Sequence, residues 1–300
     1  MSNPVFSRSD VFGEPRRTGA AGARRGGTAT YPNQTPAYGT APQPGQYGQY
    51  GAAGQQPTDA ADLNAMYQSP SATTADTKRL TYDDVIIKTG GLLALLVVVA
   101  AATWTLVPPA LLGTVMIVGA IAGLVLGLVN AFKRNPSPAL IVLYTVFQGA
   151  FLGAISLYYN TAFEGAVTQA VIGTISVFAV SLFLFKSGRV RVTAKFTRWL
   201  MFALIGYALF SLINFVLLLT GVLDGFGMRA GPIGVIVGII AVGLAAASLI
   251  VDFDSIKRGV EAGAPAKMAW SAAFGLLVTL IWLYLELLRL VAIISSFSRD

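Results

Sequence analysis

Polarity along the chain falls into two regimes. Residues 1–80 are polar and repetitive, passing through GAAGARRGGTATYPNQTPAYGTAPQPGQYGQYGAAGQQP. A segment of this kind cannot bury enough apolar surface to offset the entropy of ordering it. It predicts a disordered tail. Residues 81–300 are instead a series of long apolar runs separated by short polar ones. Seven runs, at about 89–107, 110–132, 138–159, 166–185, 199–221, 232–254 and 270–295, each come near the ~20 residues that cross a bilayer as a helix. Pro108–Pro109 makes a tight break after the first run, and KRNPS makes another after the second. LTYDDVIIK (80–88) reads as an amphipathic approach to the membrane. The predicted fold is all-α: a polytopic membrane protein built as a seven-transmembrane-helix bundle.

Glycines recur at four-residue spacing within three of these runs: Gly119, Gly123 and Gly127, then Gly149 and Gly153, then Gly234 and Gly238. Small residues at this interval let helix backbones approach closely in lipid. They predict a compact bundle.

Composition agrees. Of 300 residues 55% are hydrophobic and only 12% charged, against about 25% charged in a soluble domain. There is no Cys and no His. That excludes disulfides, thiol chemistry, His-ligated haem or zinc, and a serine protease with a histidine base. The net charge of +7 needs no nucleic acid to explain it, because cytoplasmic loops of membrane proteins are rich in Lys and Arg.

The distribution of those residues sets the expected orientation. Lys78, Arg79 and Lys88 precede and open the first helix. Lys133 and Arg134 follow the second. Lys186, Arg189, Arg191, Lys195 and Arg198 follow the fourth, and Lys257, Arg258 and Lys267 follow the sixth. The alternate loops hold only Arg229. Seven helices with a cytoplasmic N-terminus and an outside C-terminus are expected. No cleavable leader is expected either, because the first apolar run begins far beyond residue 30.

Two acids stand inside the apolar runs. Asp252 lies in GLAAASLIVDFDSI and Glu286 in LLVTLIWLYLELLRLVAII. A charge at bilayer depth costs at least ~2.5–3.5 kcal/mol, so such residues are candidates for function. The plain alternative places Asp252 at the interface and pairs Glu286 with Arg289, three residues on along one helix face. Lys133 and Arg134 stand where they could reach Asp252. Asp254 points to a different face, as a second cation ligand or a solvated helix-end charge. Tyr207, Ser211 and Asn214 share one face of the fifth helix, and Gln148 is a further polar group in the third. They bridge helices or line a cation path.

From about residue 84 the chain resembles the Bax inhibitor-1 family, including its YccA-like bacterial members. The resemblance rests on VDFDSIK, with Asp252 four residues before Ile256, and on Leu283-Tyr284-Leu285-Glu286, where the family usually carries Asp. It implies a bundle with the last helix central, in the cytoplasmic membrane of a bacterium. It also implies two acids that share a proton and gate a calcium leak, and a basic residue bridging to the sixth-helix acid. Arg134 takes that last role here, with Lys133 as its substitute. Links to stress, cell-death control and membrane protease regulation come with the family.

The residues alone support related chemistry. Two carboxylates in a low-dielectric site cannot both ionise cheaply, and a close pair titrates as a unit. Ionised, they attract a cation, and calcium suits carboxylate oxygens. Sharing a proton, they close the path. Spacing sets a condition. The acids are 34 residues apart, so for them to meet the sixth helix must run past Arg258 and the seventh must start near Pro265. Two functions compete: a pH-sensitive calcium or cation leak, and a scaffold that regulates another membrane protein, such as a protease, without transport. No enzyme activity and no cofactor are expected. An intramembrane aspartyl protease would need Asp rather than Glu at 286.

Overall fold

The computed structural model describes residues 79–133, 135–190 and 192–297. The predicted tail falls almost wholly outside them. Among the described residues the chain forms seven α-helices: α1 (Tyr82–Leu106), α2 (Pro109–Phe132), α3 (Pro138–Ala162), α4 (Ala166–Lys186), α5 (Ala194–Leu219), α6 (Gly231–Glu261) and α7 (Met268–Phe297). A 3-10 turn, Gly227–Arg229, joins α5 to α6. All seven helices are long and apolar enough to cross a bilayer, so the protein is a multi-pass membrane protein.

The apolar runs locate the helices but miss several ends. α1 starts at Tyr82, before its first long apolar stretch, because Thr81 caps it: the Thr81 hydroxyl accepts from the Asp84 amide at 3.2 Å. Asp83 and Asp84 then sit in the first turn, where acids complement the helix dipole. α5 likewise starts at Ala194 behind a Thr193 cap that accepts from the Phe196 amide at 3.2 Å. α6 is 31 residues long and continues to Glu261, seven residues past the end of its apolar run at 254. A helix that leaves the hydrocarbon needs only water to satisfy its surface, so hydropathy cannot see where it stops.

α7 is the middle of the bundle. It packs against α1, α3, α4 and α6. Half of its most apolar window is buried, against 11% for α2, α4 and α5. α1 and α3 are held close by missing side chains. A Cβ on Gly149 would stand 2.9 Å from the Leu96 carbonyl oxygen, and one on Gly153 would collide with that of Ala100. α5 sits at the edge, packed chiefly on α6.

The α6–α7 turn is also fixed from outside the hairpin. The Leu80 amide donates to the Ala264 carbonyl at 2.6 Å, and Arg79 pairs antiparallel with Pro265. Leu80 is only 2% exposed, packed in one core cluster with Phe253, Ala264 and Met268.

Candidate functional site

α5, α6, α7 and the 3-10 turn line a cavity of about 600 Å³. Both intramembrane acids face it. Asp252 enters from α6 and Glu286 from α7, and they are 3% and 5% exposed.

Asp252 stands across from Thr279, whose hydroxyl donates to its carboxylate at 2.7 Å. The helix lengths dictate this partner. Asp252 lies nine residues before the end of α6 and Thr279 eleven after the start of α7, so the antiparallel arms bring them level. Ser248, one turn away on α6, also lines the cavity.

Glu286 lies two turns beyond Thr279, ~10.5 Å along the axis at ~1.5 Å per residue, on the same face of α7. Four donors reach its two oxygens. The Tyr207 hydroxyl of α5 donates to Oε1. Trp282 Nε1 and Arg289 Nη1 each donate to Oε1 at 3.3 Å, and Arg289 Nη2 donates to Oε2. Arg229 Nη1 lies 3.7 Å from Oε1.

The expected meeting of the two acids is therefore corrected. They share a cavity but stand at different depths, and each is bound by other groups. The helices do extend beyond their apolar runs, yet contact would require Glu286 to occupy the place that Thr279 holds. Calcium's fit is correspondingly limited. The cavity offers the Asp252 carboxylate with the hydroxyls of Ser248 and Thr279 nearby, short of the six to eight oxygens of a calcium cage. Among the described residues no three acids converge.

Arg229 is the group that sequence reasoning missed, because it counted only as the one basic residue of the sparsely charged loops. It is 8% exposed. Its guanidinium lies over the Tyr207 and Phe210 rings, 5.0 and 5.4 Å from their centroids, and donates to the Ser211 hydroxyl. Two features aim it inward. Asn214 Oδ1 accepts from the Met228 amide at 2.7 Å, tying the 3-10 turn to α5. Gly234, in the first turn of α6, leaves room for the Arg229 carbonyl, into which any Cβ there would run. The available signal was a lone arginine a few residues from a polar stripe, Tyr207–Ser211–Asn214, on the preceding helix.

The other expected residues separate. Arg289 pairs with Glu286 as the spacing requires. Asp254 faces away and pairs with Arg258 at 3.1 Å, a helix-end pair. Lys133 is exposed at the end of α2. α2 packs on α3, so Lys133 does not bridge to Asp252. Arg134 lies outside the described residues. Gln148 donates to the Tyr144 hydroxyl at 3.3 Å, against Gly123 of α2, and takes no part in the cavity.

A family model described as Bax inhibitor 1 like matches residues 3–296. Comparison with curated proteins produced no match. The family match begins upstream of the apolar region, so it takes in the low-complexity segment as well as the bundle. With the match spanning nearly the whole chain and seven membrane-crossing helices packed around the last, the protein belongs to the Bax inhibitor 1 like family.

Proposed function

We propose that this protein is a pH-sensitive leak for calcium or another small cation, with the α5–α6–α7 cavity as the path. The supporting observation is the inequality of its two acids. Glu286 is compensated by Arg229 and Arg289. Asp252 is buried and receives one hydroxyl donor, and among the described residues no Lys or Arg pairs with it.

In this reading Asp252 exchanges a proton for a cation. A proton and a metal ion compete for the same carboxylate oxygens, so acid empties the site of cations and reduces the leak. Glu286 does a different task. Bound by Tyr207, Trp282 and two arginines, it draws Arg229 across the α5–α6 end of the cavity and holds that end shut. Opening requires Arg229 to swing away from Glu286. A calcium ion on this path is cargo and passes a site with too few oxygens to retain it. With the expected orientation, in a bacterial cytoplasmic membrane, the Arg229 latch faces outward and Asp252 faces the cytoplasm.

The test is efflux from calcium-loaded liposomes across a pH series. The purified protein is expected to release calcium, faster at higher pH. Asp252→Asn is expected to abolish the pH dependence, and Glu286→Gln to raise the basal rate by freeing Arg229. No efflux, or efflux indifferent to Asp252→Asn, sinks the leak. Co-purification of a membrane partner that survives both substitutions, with no efflux, supports the scaffold instead.

A further inference from the structure

The Glu286 cluster holds more positive charge than its own acid can balance. Two guanidinium groups meet one carboxylate, a formal excess of one positive charge in a low-dielectric setting. The donors are in surplus too. Each guanidinium carries five N–H groups, while the Glu286 oxygens already receive Tyr207, Trp282 and both Nη atoms of Arg289. Among the described residues Arg229 is left with one side-chain hydrogen bond, to Ser211, and an ion pair at 3.7 Å that is longer than a hydrogen bond. The Nε atoms of Arg229 and Arg289 are buried and unpartnered. Buried charged donors without acceptors are costly. The other acid of the cavity, Asp252, lies two turns off.

What could supply the missing acceptor is indicated by the walls. Apart from its polar cluster the cavity is apolar, lined by Leu204, Leu212 and Phe215 among others. Leu212 and Phe215 are 57% and 56% exposed, so the cavity opens on the surface that faces lipid. The entrance suits a hydrocarbon tail, and the inner end suits an anion.

The geometry points to a binding site for an anionic amphiphile, its oxyanion head against Arg229 and its tail along Leu212 and Phe215. The head is a carboxylate or phosphate oxygen group. Two sources share that chemistry, a free fatty carboxylate and an anionic phospholipid. A planar guanidinium pairs two oxygens at once, which favours an oxyanion over a halide. The site does not rest on the leak, because it is read by binding alone.

Trp282 reports on the site directly, since it lines the same cavity and donates to Glu286. The full chain carrying Trp104→Phe, Trp199→Phe and Trp270→Phe keeps Trp282 as its one indole. In an uncharged detergent its fluorescence is titrated with dibromostearate, with the methyl ester of that acid, and with brominated phosphatidylglycerol. The carboxylate or the phospholipid is expected to reach half-quenching at a concentration at least ~10-fold lower than the ester. Arg229→Gln is expected to erase that preference while leaving ester quenching in place. Preference for stearate assigns the head as carboxylate, and preference for phosphatidylglycerol as phosphate; either supports the site. Equal quenching by all three probes overturns it, and this comparison needs no change at Arg229. A preference that persists in folded Arg229→Gln overturns it as well. Reversal by inorganic phosphate, without any tail, overturns the amphiphile assignment.

Discussion

Charge counting around Glu286 predicts an unusual order of damage. The cluster carries +1 as built from Arg229, Arg289 and Glu286. Arg229→Gln brings it to zero, Glu286→Gln to +2, and the double variant back to +1. At 3.7 Å and an effective dielectric constant of ~20, the Arg229–Glu286 attraction is about 4.5 kcal/mol before desolvation is subtracted. Glu286→Gln strands two buried guanidinium groups, and removing one partner of a buried pair costs ~3–5 kcal/mol. Arg229→Gln is milder, because Arg289 still neutralises Glu286. Its losses are the ring contacts and the Ser211 hydrogen bond, about 1 kcal/mol each. The double variant is expected to be more stable than the two single effects predict, with a coupling of ~1.5–3 kcal/mol. Reversible unfolding of the four proteins in mixed micelles, titrated with a denaturing detergent, measures all three differences. A Glu286→Gln protein that unfolds with the parent, or single effects that add within ~0.5 kcal/mol, would rule out the charge imbalance.

Other outcomes follow from single contacts. Thr279→Val leaves the Asp252 carboxylate without its hydroxyl donor and is expected to cost ~1–3 kcal/mol in the same titration; Asp252→Asn with Thr279→Val should cost less than Thr279→Val alone. Gly153→Val drives side-chain atoms into the Ala100 carbonyl, separating α3 from α1. Its signature is a lower melting temperature with calcium efflux lost only as the fold is lost. Asn214→Ala releases the Met228 amide and loosens the turn that aims Arg229, so the Arg229–Glu286 coupling measured in its background should shrink by at least half.

Most of the architecture is legible in the apolar runs, because a membrane leaves the chain few choices: each span must close its own backbone hydrogen bonds and needs a set length. The glycines of α2 and α3 also announce which helices touch. What hydropathy hides is any structure outside the hydrocarbon. The polar last turns of α6 and the capped first turn of α1 are helical for local reasons, so the relative height of Asp252 and Glu286 depends on residues that carry no hydropathy signal. The Glu286–Arg289 pair is readable from its three-residue spacing. The Asp252–Thr279 pair is not, since a threonine in a membrane helix usually bonds its own backbone, as Thr145 does to Ile141 at 2.8 Å. Arg229 is hidden for a different reason. A loop arginine looks solvated until a turn folds it back under the helix it precedes.

The join between Leu80 and Ala264 places a mechanical constraint at the foot of the hairpin that carries both acids. Arg79 and Leu80, which lead directly into α1, are fastened to the α6–α7 turn as well. The entry to α1 and the foot of the α6–α7 hairpin therefore shift together, unless that join first parts.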